Sequence, residues 1–242
     1  MLSDYNCKIL NIDRYKLYLG DDSLLKNEFT KMVEDINILG SLGFHKLVCQ
    51  IPYNTSVSPS YAKKHVASLK RRILKESTHR LSAKFNISVV ATVYLSEDAP
   101  YVKGLDSLTL PKTNYIFLEL PFSDSSGYIP SSINKILYSC KLLPIFTNFH
   151  ICNALYDPDE IKKLINIKGA AFQFDLKHSL LPENINAIKQ ILKNGNTVLT
   201  GTSCDHSNLN KIEIGNNIKI LKKMLGEEYY MTLILRARSF PM

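Results

Sequence analysis

The sequence predicts an α/β fold: a closed or nearly closed barrel of six or seven parallel βα units formed by one domain over residues 1–242. Two observations carry this expectation. Short apolar runs rich in β-branched and aromatic residues recur along the chain, and segments with helical periodicity lie between them. No composition shift, linker or internal repeat divides the 242 residues, a length that one α/β barrel domain routinely occupies.

The elements follow in order. Buried strands are expected at Lys46 to Ile51, Ile87 to Leu95, Asn114 to Leu120, Leu143 to Thr147, Ala170 to Phe174 and Asn196 to Thr200. Leu25, Phe29, Met32, Val33 and Ile36 share one face of a helix that Asp22 or Ser23 would cap. Further helices are expected from Pro59 to Glu76, Pro130 to Lys141, Pro158 to Ile165, Pro182 to Lys193 and Lys211 to Leu225; four of these five open on proline, which suits a first helical turn. Parallel strands joined by helices place a ligand site at the strands' carboxyl ends. There stand Pro52-Tyr53-Asn54, Ala91-Thr92, Asn148-Phe149-His150, and Gly201 to His206.

Composition narrows the function. The net charge is +8, but only six of the 30 basic residues are arginine, and these are scattered apart from Arg71 and Arg72. Forked recognition of phosphate and guanine needs arginine, so a nucleic-acid partner is not expected. The five cysteines (Cys7, Cys49, Cys140, Cys152, Cys204) contain no Cys-x-x-Cys pair and fit neither a disulfide framework nor a zinc ribbon. No apolar run of about 18 residues is present and the first residues lack a signal-peptide core, so the expectation is a cytoplasmic chain without membrane insertion. Cys204 beside His206 invites a cysteine-nucleophile reading, yet the position six residues on is Asn210 and the loop lacks glycines to turn amides toward phosphate.

The strand-end motifs, taken in order, resemble those of the PHP-domain tyrosine phosphatases (CpsB type) of bacterial capsule and exopolysaccharide systems. Gly20-Asp21-Asp22, Leu42-Gly43-Phe44-His45-Lys46-Leu47-Val48-Cys49, Tyr115 to Leu120, Lys141 to Phe146 with Asn148, Lys168 to Gln173 and Leu225 to Tyr229 are similar to the family's framework. The resemblance implies a single-domain PHP-type distorted (β/α)7 barrel, TIM-barrel-like, with a metal cluster at its mouth. The family's ligands are largely replaced: Asp13 and Tyr15 stand for two histidines, or Asn6 and Lys8 in another register. Tyr53 stands for a histidine, Thr92 for a bridging glutamate and Asn148 for a histidine. In the last motif Ser203 and Asp205, or with a one-residue shift Cys204 and His206, take the ligand positions.

Hydroxyl and amide oxygens do not offset the dehydration and mutual repulsion of clustered divalent ions, and without metal there is no activated water. The resemblance therefore implies a pseudophosphatase with no cofactor, binding or regulating within polysaccharide biosynthesis. Its remnant pocket would comprise Asp13, Tyr15, Tyr53, Thr92, Asn148, His150, Ser203, Asp205 and His206. The alternatives are an active phosphotyrosine phosphatase using manganese, iron or zinc on Asp13, Asn148, His150, Asp205 and His206, and a structural subunit pairing with an intact paralogue or itself. His178 follows a strand closely enough to face the same mouth, whereas His45, His65 and His79 read as surface residues. Arg71 and Arg72, with Lys63, Lys64 and Lys70, offer a docking face for a tyrosine kinase or phosphotyrosine-bearing partner.

Overall fold

The computed structural model describes residues 7–11, 33, 37, 46–53, 55–77, 86–122, 127–203 and 211–241. The α/β class and the parallel sheet are found. Strands β1 (Cys7–Asn11), β2 (Lys46–Tyr53), β3 (Asn86–Tyr94), β4 (Tyr115–Glu119), β5 (Leu143–Thr147), β6 (Ala171–Asp175) and β7 (Thr197–Ser203) pair in chain order, each parallel to the next. The sheet curls, and β1 pairs with β7 as well as β2, Ile9 lying opposite Gly201.

The helices α1 (Pro59–Ser77), α2 (Ile129–Asn134), α3 (Phe149–Leu155), α4 (Pro158–Ile165), α5 (Pro182–Lys193), α6 (Lys211–Leu225) and α7 (Glu227–Ser239) connect or follow the strands. The starts at Pro59, Pro158 and Pro182 fall where proline's fixed φ and missing N–H suit a first turn. Asp157 caps α4, its carboxylate accepting from the Asp159 amide at 2.8 Å. The helix expected from Pro130 to Lys141 is shorter: α2 gives way to a π turn over Lys135–Ser139. The helix expected around Leu25 to Ile36 lies mostly outside the described residues. Between β3 and β4 the connection carries only two single-turn helices, Ala99–Tyr101 and Leu105–Leu108. No described helix is long and apolar enough to cross a membrane.

Alternation along the strands divides the core. Residues such as Cys49, Ile51, Val89, Val93, Leu118, Phe146 and Phe172 pack between sheet and helices. Val48, Val90, Phe117, Ile145, Ala171 and Leu199 form a separate interior layer, closed by Leu110 and by Phe240, whose ring lies 4.6 Å from that of Tyr115. Above that layer the interior turns polar. Gln50 Nε2 donates to Gln173 Oε1 at 3.2 Å, joining the non-adjacent strands β2 and β6 across the inside of the curl. Two residues further along their strands, by the same alternation, come Thr92 after Val90, Glu119 after Phe117, Thr147 after Ile145 and Asp175 after Gln173.

Candidate functional site at the carboxyl ends of the strands

Glu119, Thr147 and Asp175 end β4, β5 and β6, and the segments that follow bring further polar groups to the same rim. Asn148 has left-handed backbone (φ 51°), a conformation asparagine tolerates better than most side chains. That turn aims its amide at β4, where Nδ2 donates to Glu119 Oε1 at 3.0 Å. It also launches α3, anchored by Phe149 in an aromatic group with Phe172 and Phe174 at centroid distances of 4.8 and 5.6 Å. One position further round this helix, His150 is carried to the end of β6.

His150 is buried, and its Nδ1 accepts the Asp175 backbone N–H at 3.3 Å. Its ring stacks on His178, with centroids 4.7 Å apart and planes 14° from parallel. Burial, and secondarily the neighbouring His178, push the His150 pKa down to about 4 against the opposing pull of Asp175. The neutral ring accepting at Nδ1 carries its proton on Nε2. The buried Asp175 carboxylate is capped by its own loop: Oδ1 accepts from the amides of Lys177 (2.9 Å) and His178 (3.1 Å), and from His178 Nδ1 (2.9 Å). Asn184 secures the loop by donating to the His178 carbonyl and is itself held by Asn153.

The candidate ligands Asp13, Asp205 and His206 lie outside the described residues, and within the described rim the donors open to a metal ion are few. While the Asp175 amide occupies Nδ1 and a proton occupies Nε2, His150 offers no lone pair to an ion. Among the described residues no group of three or more His, Cys, Asp or Glu is arranged to hold a metal ion.

The sequence-selected positions divide three ways. Thr92, Asn148 and His150 are buried on strand-end segments, and the Thr92 hydroxyl has no hydrogen-bond partner. Tyr53 is placed otherwise: it packs with Cys49 and Ile51 in the layer between sheet and helices, its hydroxyl donating to the Val57 carbonyl at 2.6 Å. Alternation turns it away from the side shared by Gln50 and Thr92, because it is an odd number of positions from Gln50 and its register partner is Val93. Ser203 ends β7, while Asp13, Tyr15, Asp205 and His206 lie outside the described residues, as do Cys204, His45 and His79. Arg71 and Arg72 are exposed on α1, whereas His65 on the same helix is partly buried, with its pKa lowered by burial and by Arg72.

Sequence reasoning passed over Glu119 as a site residue and missed Asp175 altogether. The available signal was simple: each is the first acidic residue ending an apolar strand, where the strand-end rule directs attention.

The described strands and helices thus define an α/β fold with a curled parallel sheet and a polar rim at its carboxyl edge. It is similar to a solved structure described as YwqE from Bacillus subtilis and CpsB from Streptococcus pneumoniae, unique metal-dependent tyrosine phosphatases: TM-score 0.64, 16% identity, 87% of this chain and 85% of that one covered. It is also similar to N-isopropylammelide isopropylaminohydrolase from Burkholderia multivorans, with TM-score 0.55, 10% identity, and 92% and 70% coverage. No protein-family model and no curated protein matches the sequence. At these identities the likeness establishes the fold.

Proposed function

We propose that the chain is a single PHP-type (β/α)7 domain that has lost phosphatase chemistry and acts as a binding or regulatory pseudophosphatase. The observation that carries this reading is the use of His150 Nδ1 by the Asp175 amide. The buried imidazole at this rim is engaged by backbone where a hydrolytic metal centre needs an open lone pair. The similarity to a metal-dependent tyrosine phosphatase supports the fold on which this loss would have occurred. A cytoplasmic role in polysaccharide biosynthesis, with a tyrosine kinase or phosphotyrosine-bearing partner, rests on the motif resemblance, as does assembly with a paralogue or a second copy.

The test is elemental analysis of the untagged protein together with hydrolysis of a chromogenic aryl phosphate in added manganese. The expected result is substoichiometric manganese, iron and zinc with no turnover above buffer. Stoichiometric metal with turnover would overturn the reading in favour of an active phosphatase, with Asp13, Asp205 and His206 the first ligands to substitute.

A further inference from the structure

A groove of about 420 Å³ lies on the flank of the sheet, away from the strand-end rim, where the β3–β4 connection has single-turn helices in place of a full one. One side is a face of α1: Lys63, Val66, Ala67 and Lys70 recur at the three- and four-residue spacing that aligns side chains on a helix. The other side is the segment from Asp106 to Lys112. Lys63, Lys70 and Lys112 all line the groove, and none of them makes an ion pair among the described residues. Asp106 is the acidic residue of the lining, so lysine is in excess.

A second, independent feature is Ser107. It lines the same groove, and its Oγ is buried without a hydrogen-bond partner. A buried hydroxyl left unpaired costs roughly 1–3 kcal/mol, which an arriving acceptor would recover. Val66, Leu108 and Pro111 supply apolar surface beside these groups. Unpaired cations, an unsatisfied hydroxyl and apolar walls in a space of this size match a small ligand with an anionic head and an apolar body.

We propose that this flank groove binds an organic phosphate monoester with an aromatic or similarly apolar group, the phosphate meeting Lys63, Lys70, Lys112 and the Ser107 hydroxyl. The site stands apart from the strand-end rim and does not depend on the pseudophosphatase reading.

Phenyl phosphate is the probe, with phenol as the uncharged control, followed by amide chemical shifts and calorimetry on the full chain. Saturable shifts centred on Ala67, Ser107 and Lys112 are expected, with phenol giving none, and affinity should fall with added salt because exposed charges are screened. The double substitution Lys63→Gln and Lys70→Gln should weaken binding about tenfold or more, and Ser107→Val about threefold, with far-UV dichroism unchanged. Asn148→Ala at the rim should leave binding intact. Absence of saturable shifts at millimolar probe, equal affinity in the lysine variant, or shifts centred on Asn148 and His178 would each overturn the proposal; the last would place the phosphate at the rim instead.

Discussion

The imidazoles of His150 and His178 stack at 4.7 Å, and only His178 has the Asp175 carboxylate as a partner for Nδ1, since His150 accepts the Asp175 backbone amide instead. The two rings therefore meet Asp175 through different atoms. With His150 lowered to about 4 in the folded chain and about 6.5 unfolded, the unfolded state binds the extra proton between those values. Stability is fully present above about pH 6.5 and is lost as pH falls toward 4, by at most about 3 kcal/mol from this group. Urea unfolding at pH 7 and pH 4.5 measures the loss. In the His178→Phe variant, which keeps a ring but removes the neighbouring charge, the His150 pKa should rise in an NMR titration; an unchanged value would show that burial acts alone.

Asn148 joins a left-handed backbone to a hydrogen bond with Glu119. Asn148→Ala loses the bond and keeps the strained φ, so a cost of about 2 kcal/mol is expected. Asn148→Gly also loses the bond but relaxes the backbone, and should be less destabilised by about 1 kcal/mol. Denaturant midpoints of the two variants check the order, which would reverse if the backbone angle carried no strain.

Arg236 on α7 donates through one nitrogen to the carbonyls of both Leu192 and Asn196, each at 2.7 Å. This clamps the last helix to the turn entering β7. Arg236→Met retains much of the packing stem and removes both bonds, so a loss of about 2 kcal/mol is expected. Arg236→Lys should recover part of it, since a single ammonium reaches one carbonyl more readily than two. Thermal unfolding of the pair is the measurement.

Burial pushes the thiols of Cys49 and Cys152 up to about 12. Both should resist iodoacetamide at pH 8 in the folded protein and react only after denaturation, because the thiolate is the nucleophile. Mass spectrometry of native and urea-treated samples reads this directly. Rapid native alkylation of either would mean that the sheet–helix layer opens locally.

Gln50 and Gln173 meet across the sheet's interior. Replacing Gln173 by Leu strands the Gln50 amide in the core, with an expected cost of about 1–3 kcal/mol, whereas replacing both by Leu should be less destabilising than the sum of the singles. A double-mutant cycle in guanidinium gives the coupling; strict additivity would show that the pair contributes nothing jointly.

Much of the architecture was legible in the sequence. β5, α4, α5 and α6 fall where they were expected, and the other five expected strands shift at their ends by at most three residues. Continuous apolar runs and proline starts are local signals, and parallel buried strands strengthen them because both faces are apolar. Three of the longer elements have no local signal that predicts them: Cys7–Asn11 is short and mixed, α3 is a seven-residue helix that follows directly on a strand end, and α7 follows α6 after a single glycine. What stabilises α3 is the packing of Phe149 on Phe172 and Phe174, from a strand more than 20 residues away, which no local period reveals.

The sequence by itself determined the α/β class, the positions of six of the seven strands and the places where polar residues end apolar strands, because these depend on periodicity alone. Tertiary structure decided which of those residues meet. Tyr53 and Thr92 both occupy strand-end positions, yet the two-residue pleat turns Tyr53 into the helix layer and keeps Thr92 on the side shared with Gln50. His150 reached Asp175 because the left-handed Asn148 redirected the chain and an aromatic cluster held the following turn. Hydrogen bonds between residues 25 or 29 positions apart depend on where the curl of the sheet brings its edges, and that curvature is a property of all the strands together.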